Sequence, residues 1–140
     1  MTATAARTRD FTVLRDRAMA AMENAYAPYS GFRVGAALQG ADGSIAVGCN
    51  VENASYPAGL CAERAAVAGA VAQGVRTFTA IVIATEAESP TPPCGICRQV
   101  LMEFAPALVV LSVTRSGAES QWSMSDLLPK AFTPTSLERH

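Results

Sequence analysis

Hydrophobic positions recur at helical spacing from Asp10 to about Ala27, with Phe11, Leu14, Ala18, Met22 and Ala25 on one stripe. The pattern predicts a helix with Asp10 as its N-cap, stopped by the turn-forming run Ala27-Pro28-Tyr29-Ser30-Gly31. Residues 32–38 and 44–50 read as two short strands, and the Asp42-Gly43 pair between them signals a hairpin. Residues 50–59 are polar and turn-rich, and 60–73 form an alanine-rich helical pattern closed by Gly74. Residues 79–85 are apolar almost throughout, as in a strand covered on both faces. A loop over 86–93, a second amphipathic helix over 95–104 and a strand over 108–114 follow, and a short terminal helix is expected from Asp126. Hairpin, helix, strand, helix, strand is the order of an α/β sheet with helices packed on its faces.

No repeat, low-complexity tract or long linker divides the 140 residues, so one domain is expected over 1–140, with a loosely ordered tail at 1–9 and a C-terminal tail at 133–140. Half of the residues are hydrophobic and 16% are charged, which describes a chain that folds around a core. The formal net charge is −1, Lys130 is the only lysine, and the arginines are scattered. A protein that lives on phosphate contacts needs a clustered basic excess, so a small, modestly polar ligand suits this surface better than a nucleic acid. No run reaches the roughly 18 apolar residues of a membrane span, and no long apolar run follows the first basic residues. The expectation is a cytoplasmic protein without membrane partners.

That compartment changes the meaning of the four cysteines, Cys49, Cys61, Cys94 and Cys97. In a reducing environment clustered cysteines bind metal or do redox work. The only histidine is His140, the last residue, which removes Ser-His-Asp and Cys-His catalysis and leaves a metal site to thiolates and carboxylates. Two motifs stand where loops enter the two long helices: Cys61-Ala62-Glu63 and Pro93-Cys94-Gly95-Ile96-Cys97. Cys94 and Cys97, three apart at a helix start, share a face and can grip one ion, with Cys61 as third ligand. Three protein ligands leave a position for water, the arrangement of a catalytic zinc site, and helix N-termini favour thiolates. Glu63, two residues from Cys61, is poorly placed as a ligand but well placed as a general base beside that water. A C-x-x-C standing alone suits a redox or structural role better than catalysis, and Cys49 is either a buried strand residue or the fourth ligand of a closed structural site. Together, C-x-E and P-C-x-x-C match the signature of zinc-dependent nucleobase deaminases, with Cys in place of His at the first position.

Beyond these motifs, Ala27-Pro28-Tyr29-Ser30-Gly31-Phe32-Arg33-Val34-Gly35, Gly48-Cys49-Asn50-Val51-Glu52-Asn53-Ala54-Ser55-Tyr56-Pro57, Leu60-Cys61-Ala62-Glu63-Arg64 and Pro93-Cys94-Gly95-Ile96-Cys97-Arg98-Gln99 resemble the small homotetrameric cytidine deaminases. Leu127 to Phe132 is similar to that family's C-terminal element, and the likeness spans roughly residues 10–132. The resemblance implies a three-layer α/β/α sandwich around a five-stranded mixed sheet. It also implies one Zn²⁺ per subunit and hydrolysis of cytidine or 2′-deoxycytidine to the uridine and ammonia, a pyrimidine-salvage reaction. By position it implies zinc on Cys61, Cys94 and Cys97, proton transfer by Glu63, and a hydrogen bond from Arg64 to the thiolates. Asn50 and Glu52 would bind the ribose 3′-hydroxyl, Phe32 would pack on the nucleoside, and the backbone around Ala62 would read the pyrimidine edge. Tyr56 and Phe132 would complete the site of an adjacent subunit. Asn50 and Glu52 alternate on one side of an extended segment, yet they also suit a turn-capping Asn and a surface Glu. Phe32 equally suits core packing, Tyr56 and Phe132 local packing, and Arg98 receives no role. The alternatives in function are a deaminase of a modified or antibiotic nucleoside and a non-catalytic zinc-stabilised module.

Overall fold

The computed structural model describes residues 10–138; the expected tail at 1–9 and His140 lie outside them. Five strands form one sheet in the order β2-β1-β3-β4-β5, where β1 is Val34–Gly40, β2 Ile45–Cys49, β3 Phe78–Thr85, β4 Val109–Thr114 and β5 Glu119–Ser123. Only β3 and β4 run parallel; the other three pairings are antiparallel, so the sheet is mixed. The long helices are α1 (Thr12–Glu23), α2 (Ala62–Ala72) and α3 (Gly95–Phe104), with a single turn, α4, at Met124–Leu127.

Strand alternation divides the core into two layers. Ala36, Leu38, Ile81, Ile83 and Val110 face α2 and α3, meeting Ala66, Val67, Ala70 and Leu101. Ala37, Ala80, Val82, Ala84, Leu111 and Val113 face the other way, onto Leu14, Ala18 and Met22 of α1. This is the expected α/β/α sandwich. One glycine on each face lets a helix approach closely: a Cβ on Gly35 would lie 2.0 Å from the Ala18 carbonyl oxygen, and one on Gly48 2.5 Å from that of Ala62.

The structure departs from the sequence pattern at element ends. α1 begins after Phe11 rather than Asp10, whose Oδ1 instead accepts the Thr12 amide at 2.9 Å. It stops at Glu23 and not near Ala27, because Tyr26 is drawn into a bridge with Val51, donating to the Asn50 carbonyl and accepting from the Glu52 amide. β1 runs on to Gly40, and α4 starts at Met124 rather than Asp126 because the Ser123 hydroxyl accepts the Asp126 amide as an N-cap. β5 has no counterpart in the hydrophobic pattern: it is an edge strand with Glu119, Gln121 and Ser123 exposed. Within the segment expected as a C-terminal tail, Pro134–Leu137 forms a 3₁₀ turn capped by Thr133.

Candidate active site

Cys61 and Cys94 occupy the N-cap positions of α2 and α3, both in extended conformation, and Cys97 lies one turn into α3. Packing of both helices on the same face of the sheet brings the three sulfurs within 4.8 Å of one another, with Cys61 Sγ 3.9 Å from Cys94 Sγ. Sulfurs around a tetrahedral zinc with Zn–S near 2.3 Å lie about 3.8 Å apart, so the cluster fits the ion. Cys49, at the end of β2, is not part of it.

Crowding of the three sulfurs perturbs the Cys61 and Cys97 thiols in opposite directions. The Cys61 thiol is lowered to about 5, chiefly by hydrogen bonding from Cys97 and then from Arg64, whose Nη2 donates to Cys61 Sγ at 3.6 Å and to the Gly59 carbonyl at 3.4 Å. Cys97 moves in the opposite direction, far above the usual thiol range, because it hydrogen-bonds to the Cys61 sulfur and is buried. Three crowded thiolates repel one another, so ionisation of one sulfur disfavours ionisation of its neighbour. A divalent ion removes that conflict.

Glu63, in the first turn of α2, is only 5% exposed. Loss of water around its carboxyl raises it to about 7, with the nearby Cys61 charge adding to the shift. A cleft of about 230 Å³ opens over it, and the same cleft is lined by Cys61, Cys94, Ala62, Phe32, Asn50 and Glu52.

Asn50 and Glu52 do more than line this cleft. The Asn50 amide donates to the Phe32 carbonyl at 2.7 Å and accepts the Val34 amide at 2.9 Å, closing the start of β1 as a strand neighbour would. Glu52 accepts the Tyr29 and Ser30 amides, each at 3.0 Å, and the Ser30 hydroxyl, which hold its carboxyl below the usual range. These bonds fix the loop that presents Phe32, whose ring is 37% exposed and faces the cleft rather than the core.

Tyr56 is 76% exposed and meets Tyr29 edge to face at 6.0 Å beside a neighbouring cleft of about 360 Å³. Phe132 is 59% exposed and lies outside the lining of its own chain's cleft. Sequence reasoning missed Ile83, Thr85, Thr91 and Pro92, which also line this cleft. The one available signal was the Thr91-Pro92-Pro93 run, whose stiff backbone leads directly into Cys94.

The family described as cytidine and deoxycytidylate deaminase zinc-binding region matches residues 10–113. The chain belongs to this family. Among cytidine deaminases, that of Sporosarcina psychrophila is 45% identical over 118 residues, covering 84% of this chain and 87% of the relative. The cytidine deaminase of Halalkalibacterium halodurans is 46% identical over 125 residues, covering 89% and 95%. The crystal structure of cytidine deaminase from Burkholderia pseudomallei superposes with a TM-score of 0.85 at 48% identity, covering 89% of this chain and all of that one. Among the described residues no helix is long and apolar enough to cross a membrane.

Proposed function

We propose that this single-domain chain hydrolyses cytidine and 2′-deoxycytidine to uridine and 2′-deoxyuridine with release of ammonia, as a cytoplasmic homotetramer serving pyrimidine salvage. The observation that carries this reading is the buried Glu63 lining the same cleft as Cys61 and Cys94, whose sulfurs cluster with that of Cys97 beneath it. Cys61, Cys94 and Cys97 would hold one zinc ion per subunit. When bound, that ion supplies Lewis acidity, making a water molecule acidic enough to act as a nucleophile near neutral pH.

The chain's own residues then handle sugar, base and protons. Asn50 retains one amide hydrogen beyond those used on the loop, and together with the Glu52 carboxylate it offers the ribose 3′-hydroxyl a donor and an acceptor. Phe32 packs against the nucleoside, and the backbone around Ala62 meets the pyrimidine edge. Glu63 accepts a proton from the attacking water and delivers it to N3 as the oxygen adds at C4. It next takes the proton of the new C4 hydroxyl and gives it to the amino group. Ammonia leaves, and the C4 oxygen becomes the uridine carbonyl. Arg64, donating to Cys61 Sγ, offsets part of the negative charge of three thiolates.

Tyr56 and Phe132, both exposed in the isolated subunit, would reach a neighbouring subunit's cleft, with Phe132 stacking on the base. Loss of absorbance on addition of cytidine, with zinc quantified on the same sample, tests the reaction. Zinc-loaded protein that leaves cytidine unchanged refutes it. Reassembling Glu63→Gln with Phe132→Ala subunits tests sharing: part of the affinity returns if sites are shared, and a plain sum of the parents refutes sharing.

A further inference from the structure

Two residues that follow Cys97 on α3 hold the C-terminal segment at both ends. The Arg98 guanidinium donates from Nε to the Pro93 carbonyl at 2.8 Å and from Nη1 to the Leu127 carbonyl at 2.7 Å. Gln99 Nε2 donates to the Phe132 carbonyl at 2.8 Å. Between these anchors Leu128 and Ala131 pack against the core under α2 and α3, and Lys130 reverses the chain with φ of 53°. A left-handed residue other than glycine persists only where its surroundings over-determine it. Here the two flanking anchors do so.

From this we infer that Arg98 and Gln99 are positioning residues that clamp the 127–132 segment to the helix bearing Cys94 and Cys97, and so fix where Phe132 leaves the subunit. The inference rests on the reading that Phe132 stacks on a neighbouring subunit's nucleoside. Arg98 also ties down the carbonyl immediately before Cys94. One guanidinium therefore holds the Pro93 and Leu127 carbonyls at a fixed separation, which sets the departure point of Phe132. Lysine keeps the charge but lacks the planar fork that spans two carbonyls.

The test measures KM and kcat for cytidine, and zinc content, in Arg98→Lys, Gln99→Leu and Phe132→Ala, alone and as doubles with Phe132→Ala. Phe132→Ala should raise KM about 5- to 150-fold by loss of one base stack. Gln99→Leu should raise it about 2- to 10-fold by loss of one hydrogen bond. Arg98→Lys should raise KM more than Gln99→Leu and by no more than Phe132→Ala. In both single variants kcat and zinc should stay within about twofold of the parent, and each double should match Phe132→Ala within about twofold. An equal rise of KM in the Phe132→Ala background overturns the clamp, since these residues then act elsewhere. Unchanged KM in both single variants overturns it while leaving the stacking reading intact, and loss of zinc in Arg98→Lys overturns the part assigned to Arg98. Unchanged KM in Phe132→Ala removes the stacking reading, and the clamp falls with it. If Arg98→Lys does not fold, Gln99→Leu in the two backgrounds decides alone.

Discussion

Replacing Gly48 with alanine would put a Cβ 2.5 Å from the Ala62 carbonyl oxygen, 2.6 Å from the Ala66 amide nitrogen and 2.9 Å from Ala65 Cβ. Two of these neighbours are helix backbone, which cannot swing aside as a side-chain end can, so α2 has to back away from the sheet. Opening the 2.5 Å approach to the 3.4 Å at which ordinary contact begins moves the first turns of α2 by about 0.9 Å. That turn carries Cys61 and Glu63, whereas Cys94 and Cys97 ride on α3 and stay behind. A displacement of about 1 Å between catalytic groups costs about 100-fold in rate. Overpacking costs about 1–3 kcal/mol in stability, which for a chain of this length lowers Tm by about 3–15 °C. The assay compares kcat/KM for cytidine, zinc content and thermal melting of Gly48→Ala with those of Gly69→Ala. Gly69 sits on the same helix with nothing within 4 Å of its Cβ. Alanine there should stabilise by about 0.5–1 kcal/mol and leave turnover unchanged. Gly48→Ala with parental turnover and melting would refute the argument from close approach.

Glu63→Gln should lower kcat by about 100- to 10,000-fold while zinc stays bound; metal content that falls along with activity would contradict a proton-transfer role. Cys97→Ala should lose zinc and melt at lower temperature, because metal affinity here is also folding free energy. Cys49→Ala should keep stoichiometric zinc, and its loss would instead mean a closed four-cysteine site. Glu86, hydrogen-bonded by Arg33 and Arg115, is lowered from the ordinary 4.5 to about 2. Its folded value lies below its unfolded one, so its contribution is present above pH 4.5 and disappears as pH falls towards 2. Glu86→Gln should therefore show a shallower loss of stability over that interval, and parallel acid-unfolding curves would rule the contribution out.

The parts of this protein that were legible in its sequence are those governed by short-range rules. The apolar run of β3 and the helical stripes of α2 and α3 predict buried elements, and these meet in the core under α2 and α3. The cysteine spacing on α3 depends only on helix geometry, so Cys94 and Cys97 could be paired before any fold was known. What escaped depends on contacts distant in sequence. β5 is polar and is recruited by pairing with β4, so it carries no hydrophobic signature. The early end of α1 follows from Tyr26 meeting Val51, and helical propensity does not register such a bridge. Asn50 and Glu52 were legible as a pair facing one side, but their grip on the 29–34 loop spans roughly 16–23 residues. Arg98 stood in plain view beside Cys97, yet its partner Leu127 is 29 residues away.

The bridging amide of Asn50 also bears on how such a chain can diverge. Aspartate at this position would still accept the Val34 amide but would turn a carboxylate oxygen towards the Phe32 carbonyl, and serine is too short to span both. A change at Asn50 would therefore unfasten the loop in the same step, and selection would meet the folding defect before it could test any new specificity of the cleft. Thr91 and Pro92 border the same cleft without fastening that loop. Positions there have room to vary, while Asn50 is held still by its duty to the fold.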